Sequence, residues 1–332
     1  MTGACVKSTS AVSFEPAWWC RDPHLQTLWP SWFGPRLAFA LRRERVELPD
    51  GDFLDIDWTP GTHGPIVLLL HGLQGSVQSP YARALLRTFD RHGWRGAIMH
   101  FRGCSGEPNR LARSYHSGET EDLAYVVDLI RRREGAVPIA VVGVSLGGGV
   151  LLNWLGKTGV QSPLAAAVAV SVPFLLGRAA DRLDLGFSRL YQSHLLRSLR
   201  RAVEQKRRRI HLPLAVHDLA QLKCFRDFDT HVTAPLHGFR DAEHYYAAAS
   251  CRQFLKGITV PTLLIQALDD PFMTPDVIPE PAELPTCVTL DLQRHGGHAG
   301  FVGGKWPWRA RYWLTERIPA YLVAHLSAAP KS

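Results

Sequence analysis

One serine stands between glycines at a spacing that suits a nucleophile. Gly143-Val144-Ser145-Leu146-Gly147 follows the apolar run at 139–142, and Val150-Leu151-Leu152-Asn153-Trp154-Leu155 then opens a helical pattern. A buried strand turning sharply into a helix through G-x-S-x-G is a nucleophile elbow, which pushes the serine oxygen out at the end of the sheet. Glycines at 143 and 147 let the two backbone limbs crowd together. A serine placed there also faces the free N–H groups of a helix N-terminus, which favour a developing negative charge.

A hydroxyl needs a base to take its proton and a carboxylate to orient that base. Where an elbow carries the serine, the chain order is serine, acid, histidine. Two later segments fit, Gln266-Ala267-Leu268-Asp269-Asp270-Pro271-Phe272 and His295-Gly296-Gly297-His298-Ala299-Gly300-Phe301. Each follows an apolar strand pattern, and open α/β sheets place their sites at strand C-terminal ends. Asp269 and Asp270 are adjacent, so a turn can present only one to the histidine. Asp270 is favoured, with Asp269 left solvated or holding the turn. His298 has small neighbours that leave room for a reacting imidazole, and His295 is the runner-up. No third ligand stands near His295 and His298 at a persuasive zinc spacing, so neither metal nor cofactor is expected. The oxyanion hole needs two backbone N–H groups. Leu146, after the nucleophile, supplies one, and Leu73 of His71-Gly72-Leu73-Gln74-Gly75 supplies the other. His71 reads as a structural histidine. The loop Phe101-Arg102-Gly103-Cys104-Ser105-Gly106 reads as a pocket wall, with Cys104 a small buried residue.

These residues need a scaffold. Residues 45–48 and 53–58 flank Pro49-Asp50-Gly51-Asp52 as a hairpin. Strands are then expected at 66–70, 96–101, 139–144, 164–170, 260–265 and 288–292. Helices are expected at 81–91, 120–132, after Ser145, and at 308–326. Short apolar strands alternating with helices imply a mostly parallel sheet covered on both faces. The rhythm breaks at Pro173, and 174–255 is predominantly helical in pattern, an insertion above the strands' C-terminal ends. The division expected is 1–43 as an aromatic leader or flap, 44–172 and 256–327 as core, and 173–255 as a lid.

At 332 residues, 46% hydrophobic and 20% charged, the chain has material for a sizeable core. No apolar run is long enough to span a bilayer, and residues 1–7 lack the layout of a secretory signal. Six cysteines without any C-x-x-C pair suit reduced thiols and a cytoplasmic location. The net charge of +8 comes with no nucleic-acid motif, so a solvated basic surface is expected. The aromatic segments 14–20 and 30–33 read as a packed flap, with a membrane-interface anchor as the alternative.

Several further blocks carry a resemblance. They are Asp22-Pro23-His24-Leu25-Gln26-Thr27, His71-Gly72-Leu73-Gln74-Gly75-Ser76, the run 99–109, Tyr115-His116-Ser117-Gly118-Glu119-Thr120 and Thr233-Ala234-Pro235-Leu236-His237-Gly238-Phe239. With the elbow, acid and histidine segments, they resemble the α/β-hydrolase superfamily, and closely its YheT-type branch of esterases. That branch is related to eukaryotic proteins acting on acylglycerols and phospholipids. Asp22 stands where the branch is expected to have asparagine. The resemblance covers about residues 14–327. It implies an α/β-hydrolase fold with a helical lid, a Ser145–Asp270–His298 triad and hydrolysis of a small-molecule acyl ester, of short to medium chain or acylglycerol type. An amidase or perhydrolase would share the triad, and a non-catalytic binding protein would share the fold. In the lid, Tyr191, Leu195, Leu199 and Val203 form an apolar stripe. Arg197, Arg200, Arg201 and Lys206-Arg207-Arg208-Arg209 lie around the other face, solvated or, in the sharper reading, docked on anionic membrane. No motif encodes an oligomeric state.

Overall fold

The computed structural model describes residues 13–327. The helix α1 (Pro23–Phe33) leads into an eight-stranded sheet. Its strands are β1 (Arg42–Glu47), β2 (Phe53–Trp58), β3 (Ile66–Leu70), β4 (Arg95–Met99), β5 (Ile139–Val144), β6 (Ala166–Val170), β7 (Thr262–Ala267) and β8 (Val288–Gln293), in spatial order β1-β2-β4-β3-β5-β6-β7-β8. The hairpin β1–β2 and its junction with β4 are antiparallel, while β4, β3, β5, β6, β7 and β8 run parallel.

Strand alternation divides the core into two layers. Ile66, Leu68 and Leu70 of β3 face one layer, which α3 (Glu121–Glu134) and α4 (Leu146–Thr158) complete with Val126, Ile130, Leu151 and Leu155. Val67 and Leu69 face the other, completed by Leu85 and Phe89 of α2 (Pro80–Arg91) and, near the C-terminus, by Ile318 and Leu322. Every residue of β3, β5 and β6 is buried, and β5, which leads into Ser145, sits at the centre of the sheet.

Between β6 and β7 the chain forms α5 (Leu176–Leu183), α6 (Ser188–Arg207), α7 (Phe225–Phe228), a π-helical turn (Asp229–Thr233), α8 (Ala234–His237) and α9 (Ala242–Ala249). Residues 208–218 hold no helix, a departure from the helical expectation. Tyr191, Leu196, Phe225, Phe228 and Tyr246 build an apolar cluster of the insertion's own.

The terminal helix departs from its expected start at 308. Val302–Gly303 (β9) pairs antiparallel with Arg311–Tyr312 (β10), and helix α10 runs only over Leu314–Leu326. Pro307 interrupts the helical reading, and the Trp313 N–H donates to Phe301 O at 3.1 Å, which fixes the chain before α10. The helix α1 is an element the aromatic reading did not assign. Asp22 caps it by accepting from His24 N and Leu25 N, and Pro23 occupies its first position. Of the expected leader, residues 1–12 lie outside the described residues.

Candidate active site

Ser145 occupies the turn between β5 and α4 at φ 55°, ψ −122°, a backbone conformation few side chains adopt. The flanking glycines are steric necessities. A Cβ on Gly143 would lie 2.4 Å from Gly147 O, and one on Gly147 would lie 2.6 Å from both Leu70 O and His71 O. Ser145 N donates to Val170 O of the neighbouring strand at 2.8 Å, which holds the turn to the sheet.

Asp270 follows β7 and His298 follows β8; His298 reaches Ser145, and Asp270 reaches His298. His298 Nδ1–H donates to Asp270, at 2.9 Å from Oδ2 and 3.2 Å from Oδ1, leaving Nε2 to accept from Ser145 Oγ at 3.0 Å. Asp270 is 4% exposed, and its Oδ1 also accepts from Phe272 N at 2.8 Å. The Phe272 ring stacks on His298 with centroids 4.0 Å apart and planes 2° from parallel, so the imidazole is held at its edge and on its face.

The rejected neighbours do different work. Asp269 is not solvated; it accepts from Gly297 N at 3.0 Å and from His295 Nδ1 at 3.1 Å, clamping the histidine loop. Burial raises the Asp269 pKa. His71 is fully buried; its Nδ1 donates to Gly72 O and its Nε2 accepts from Phe101 N. Burial pushes its pKa down to about 3, so at neutral pH it is an uncharged strut. Gly103 lines the cavity, but Ser105 donates to Asp55 Oδ2 at 2.6 Å. Burial raises the Cys104 thiol to about 12, which fits a structural thiol rather than a nucleophile.

Leu73 and Leu146 both line the cavity beside Ser145. Two tyrosines flank the first of these N–H groups. Tyr81 OH accepts from Gly72 N at 2.7 Å and Tyr115 OH accepts from Gln74 N at 2.8 Å. The loop is thus fixed on both sides of Leu73, next to a glycine where a Cβ would sit 3.2 Å from Ser145 Cβ. Tyr81 and Tyr115 were not singled out from the sequence, because nothing local links either to position 73.

Nor did sequence reasoning give the Asp22–Thr27 block a task. Thr27 Oγ1 accepts the His298 N–H at 2.9 Å and donates to Pro23 O at 2.7 Å. Gln26, fully buried, donates to Cys20 O and Val302 O and accepts from Val302 N. A Cβ on Gly297 would meet Pro23 O at 2.5 Å, and Gly297 has φ 57°. The first helix is therefore the mould in which the histidine loop is cast.

Above the triad lies a cavity of about 180 Å³. Leu195, Leu199 and Val203 of α6 line it together with Leu176, Leu183 and Phe228, so three of the four stripe residues face the cavity, while Tyr191 packs on Phe272 beside it. Three of the seven basic residues, Arg200, Lys206 and Arg207, depart from the solvated face expected. Lys206 is buried, and its Nζ donates to Ala112 O at 3.1 Å and Arg113 O at 2.8 Å. Burial lowers its pKa to about 8. Arg200 binds Leu222 O, and Arg207 binds Val216 O and His217 O. What remains open to solvent is Arg197, Arg201, Arg208 and Arg209. A long side chain beside unsatisfied loop carbonyls is drawn inward to them.

Among the described residues no group of three or more His, Cys, Asp or Glu side chains could hold a metal ion, and no helix is long and apolar enough to cross a membrane.

The family model of the alpha/beta hydrolase fold matches residues 65–305. YheT of Escherichia coli, a protein carrying an esterase assignment, is 43% identical over 96% of both chains. Phospholipase ABHD3 of Mus musculus is 30% identical over 90% of this chain and 76% of its own length. Among solved structures, the Pyrococcus furiosus esterase PF2001 shares the fold with a TM-score of 0.57 at 16% identity, over 88% of this chain and 97% of that one.

Proposed function

This chain belongs to the α/β-hydrolase fold family, in its YheT-type branch, and from that membership of a hydrolase we propose a serine esterase working through Ser145, His298 and Asp270. The observation that carries the reading is the continuous Asp270–His298–Ser145 hydrogen-bond chain, with Nδ1 tied to the carboxylate and Nε2 facing the hydroxyl. His298 takes the Ser145 proton as Oγ attacks the ester carbonyl carbon. The tetrahedral oxyanion rests on the N–H groups of Leu73 and Leu146. His298 then protonates the departing alkoxide, giving the alcohol and an acyl-serine. Water, deprotonated by His298, attacks that acyl carbon, and the proton returns to Ser145 as the carboxylic acid leaves. Asp270 holds the imidazole in the working tautomer and stabilises its charged form.

We read 44–172 with 256–327 as the core, the described part of the 1–43 leader (residues 13–43) as a flap against the histidine loop, and 173–255 as a lid roofing the substrate. The apolar stripe Leu195–Leu199–Val203 favours short- to medium-chain acyl groups, including those on glycerol backbones. The mouse relative, named as a phospholipase, is in keeping with such substrates. The thiols of Cys20, Cys104, Cys224, Cys251 and Cys287 are free, which suits the cytosol. A fluorophosphonate probe should label the protein, and Ser145→Ala should abolish the labelling. p-Nitrophenyl esters of increasing chain length then measure the depth of the acyl pocket. Labelling that survives in the Ser145→Ala variant overturns the assignment.

A further inference from the structure

Six of the ten tryptophans, at 18, 19, 29, 32, 306 and 308, belong to one surface ridge. Its links are direct. Trp19 meets Trp29 at 4.6 Å between centroids, Trp29 meets Phe33 at 4.4 Å, and Trp306 stacks on Trp308 at 5.3 Å. Trp18 Nε1 donates to Lys305 O and Trp19 Nε1 to Gly304 O, which join the first segment to the last. Tyr312 OH donates to Phe33 O, which ties the end of α1 to β10. The ridge is open to solvent, with Trp308 75%, Trp18 66%, Phe33 61% and Trp32 58% exposed. The indole N–H groups of Trp18 and Trp19 are already satisfied from within, so what those rings offer outward is apolar face.

Apolar surface of this size normally has a partner. The charges around it indicate which. Arg21, Arg36, Lys305 and Arg309 are exposed along the same segments, and none makes an ion pair among the described residues. Aromatic rings fringed by free cations complement an anionic lipid headgroup layer, with rings at the acyl boundary and ammonium or guanidinium groups at the phosphates. The ridge is also continuous with the catalytic apparatus. The helix α1 that bears Trp29, Trp32 and Phe33 also bears Thr27, which holds His298 N–H. Its His24 packs 4.3 Å from Phe187 beside the roof helix α6, where Phe187 and Leu190 are themselves exposed.

We propose that this tryptophan ridge docks the protein on an anionic lipid surface, with α1 turned towards the bilayer. Docking rests on the esterase reading only for its purpose, the delivery of acyl esters from lipid, and not for its occurrence. The basic lid face is a weaker candidate for that contact, since Arg200, Lys206 and Arg207 are spent on internal carbonyls and only Arg197, Arg201, Arg208 and Arg209 stay exposed.

The test is co-sedimentation of the full chain with vesicles of mixed phosphatidylglycerol and phosphatidylcholine, and with phosphatidylcholine alone, at low and high salt. The protein should pellet with the anionic vesicles, and salt should weaken the binding because the Debye length shrinks. Trp32→Ala/Trp308→Ala should weaken vesicle affinity at least about tenfold, the ratio that ~1.4 kcal/mol produces. Its turnover of a soluble p-nitrophenyl ester should stay at the parent level, which also certifies its fold. Lys305→Glu/Arg309→Glu, confined to exposed side chains, should lose binding to anionic vesicles specifically. Absence of pelleting at low salt overturns the proposal, as does unaltered binding in both variants. A concentration-dependent dimer that the tryptophan variant dissolves, without vesicle binding, gives the ridge to a second copy of the chain. Vesicle binding in a protein that turns over no soluble ester leaves docking intact and removes the esterase reading instead.

Discussion

Replacing Asp270 by asparagine changes one atom and should disable the histidine. In the native site Oδ1 accepts from Phe272 N at 2.8 Å, while Oδ2 is the nearer acceptor of His298 Nδ1–H at 2.9 Å. An asparagine must keep its oxygen at the Phe272 N–H, because an amide nitrogen there would set donor against donor. Its NH₂ then occupies the position of Oδ2 and donates to Nδ1. The imidazole can answer only by moving its proton to Nε2, the nitrogen 3.0 Å from Ser145 Oγ. That nitrogen then donates where it must accept, and the serine keeps its proton. The expected loss is of order 10⁴ in kcat, about 5.4 kcal/mol of transition-state stabilisation. KM should hardly move, since Asp270 touches histidine and not substrate. Hydrolysis of a p-nitrophenyl ester and the rate of fluorophosphonate labelling both report it. Asp269→Asn is the control: its carboxylate serves Gly297 N and His295, so about tenfold or less should be lost. Retention of more than about a tenth of the activity by Asp270→Asn, or an equal loss in Asp269→Asn, refutes the reasoning.

Thr27→Val removes the acceptor of the His298 N–H, at a cost of about 1–3 kcal/mol. Steady-state kinetics should show kcat down about tenfold or more with KM little changed, and an unaltered kcat would count against a positioning role. Leu199→Trp fills the cavity beneath α6 and should shift preference in an ester panel towards the shortest acyl groups. Gly297→Ala combines φ 57° with a Cβ 2.5 Å from Pro23 O, so it should lower the melting temperature and activity together. Burial holds His71 and His116 each down to about 3. Below the ordinary histidine value near 6.5, the unfolded chain takes up protons the folded chain refuses. These two groups therefore leave stability undiminished above about pH 6.5 and erode it as pH falls from there towards 3, with a slope approaching ~2–3 kcal/mol per pH unit. Denaturant midpoints measured across that range should fall accordingly, and a flat profile between about pH 6.5 and pH 4.5 would contradict the burial argument.

What the sequence made legible is what local rules govern. The elbow declares itself because the G-x-S-x-G spacing is local and Gly143 is required by Gly147 O four residues on, and β3, β5 and β6 because strands buried on both faces are continuously apolar. Asp270 and His298 were reachable because each follows a strand in the order the fold uses. The misses that matter to the site are long-range. That Thr27 meets His298, that Tyr115 flanks Leu73, and that Lys206 turns inward to Arg113 O are facts about segments far apart in the chain. Composition also misjudged charge, since a cluster of lysine and arginine in a helix looks solvated until the carbonyls beside it are known. The late start of α10 was hidden because a two-residue hairpin is too short to register as a pattern.

The pairing of α1 with the histidine loop has a consequence for how the protein is made. Thr27 and His298 are 271 positions apart, and Gln26 and Val302 are 276 apart. A chain still being synthesised holds Ser145, Leu73 and Leu146 long before it holds His298, and Thr27 waits through 271 positions for the residue it binds. Contacts of such separation close late and slowly. Under the proposed mechanism, a chain that stops short of His298 should be inert towards esters, and hydrolytic competence should arrive only when α1 and the histidine loop find each other.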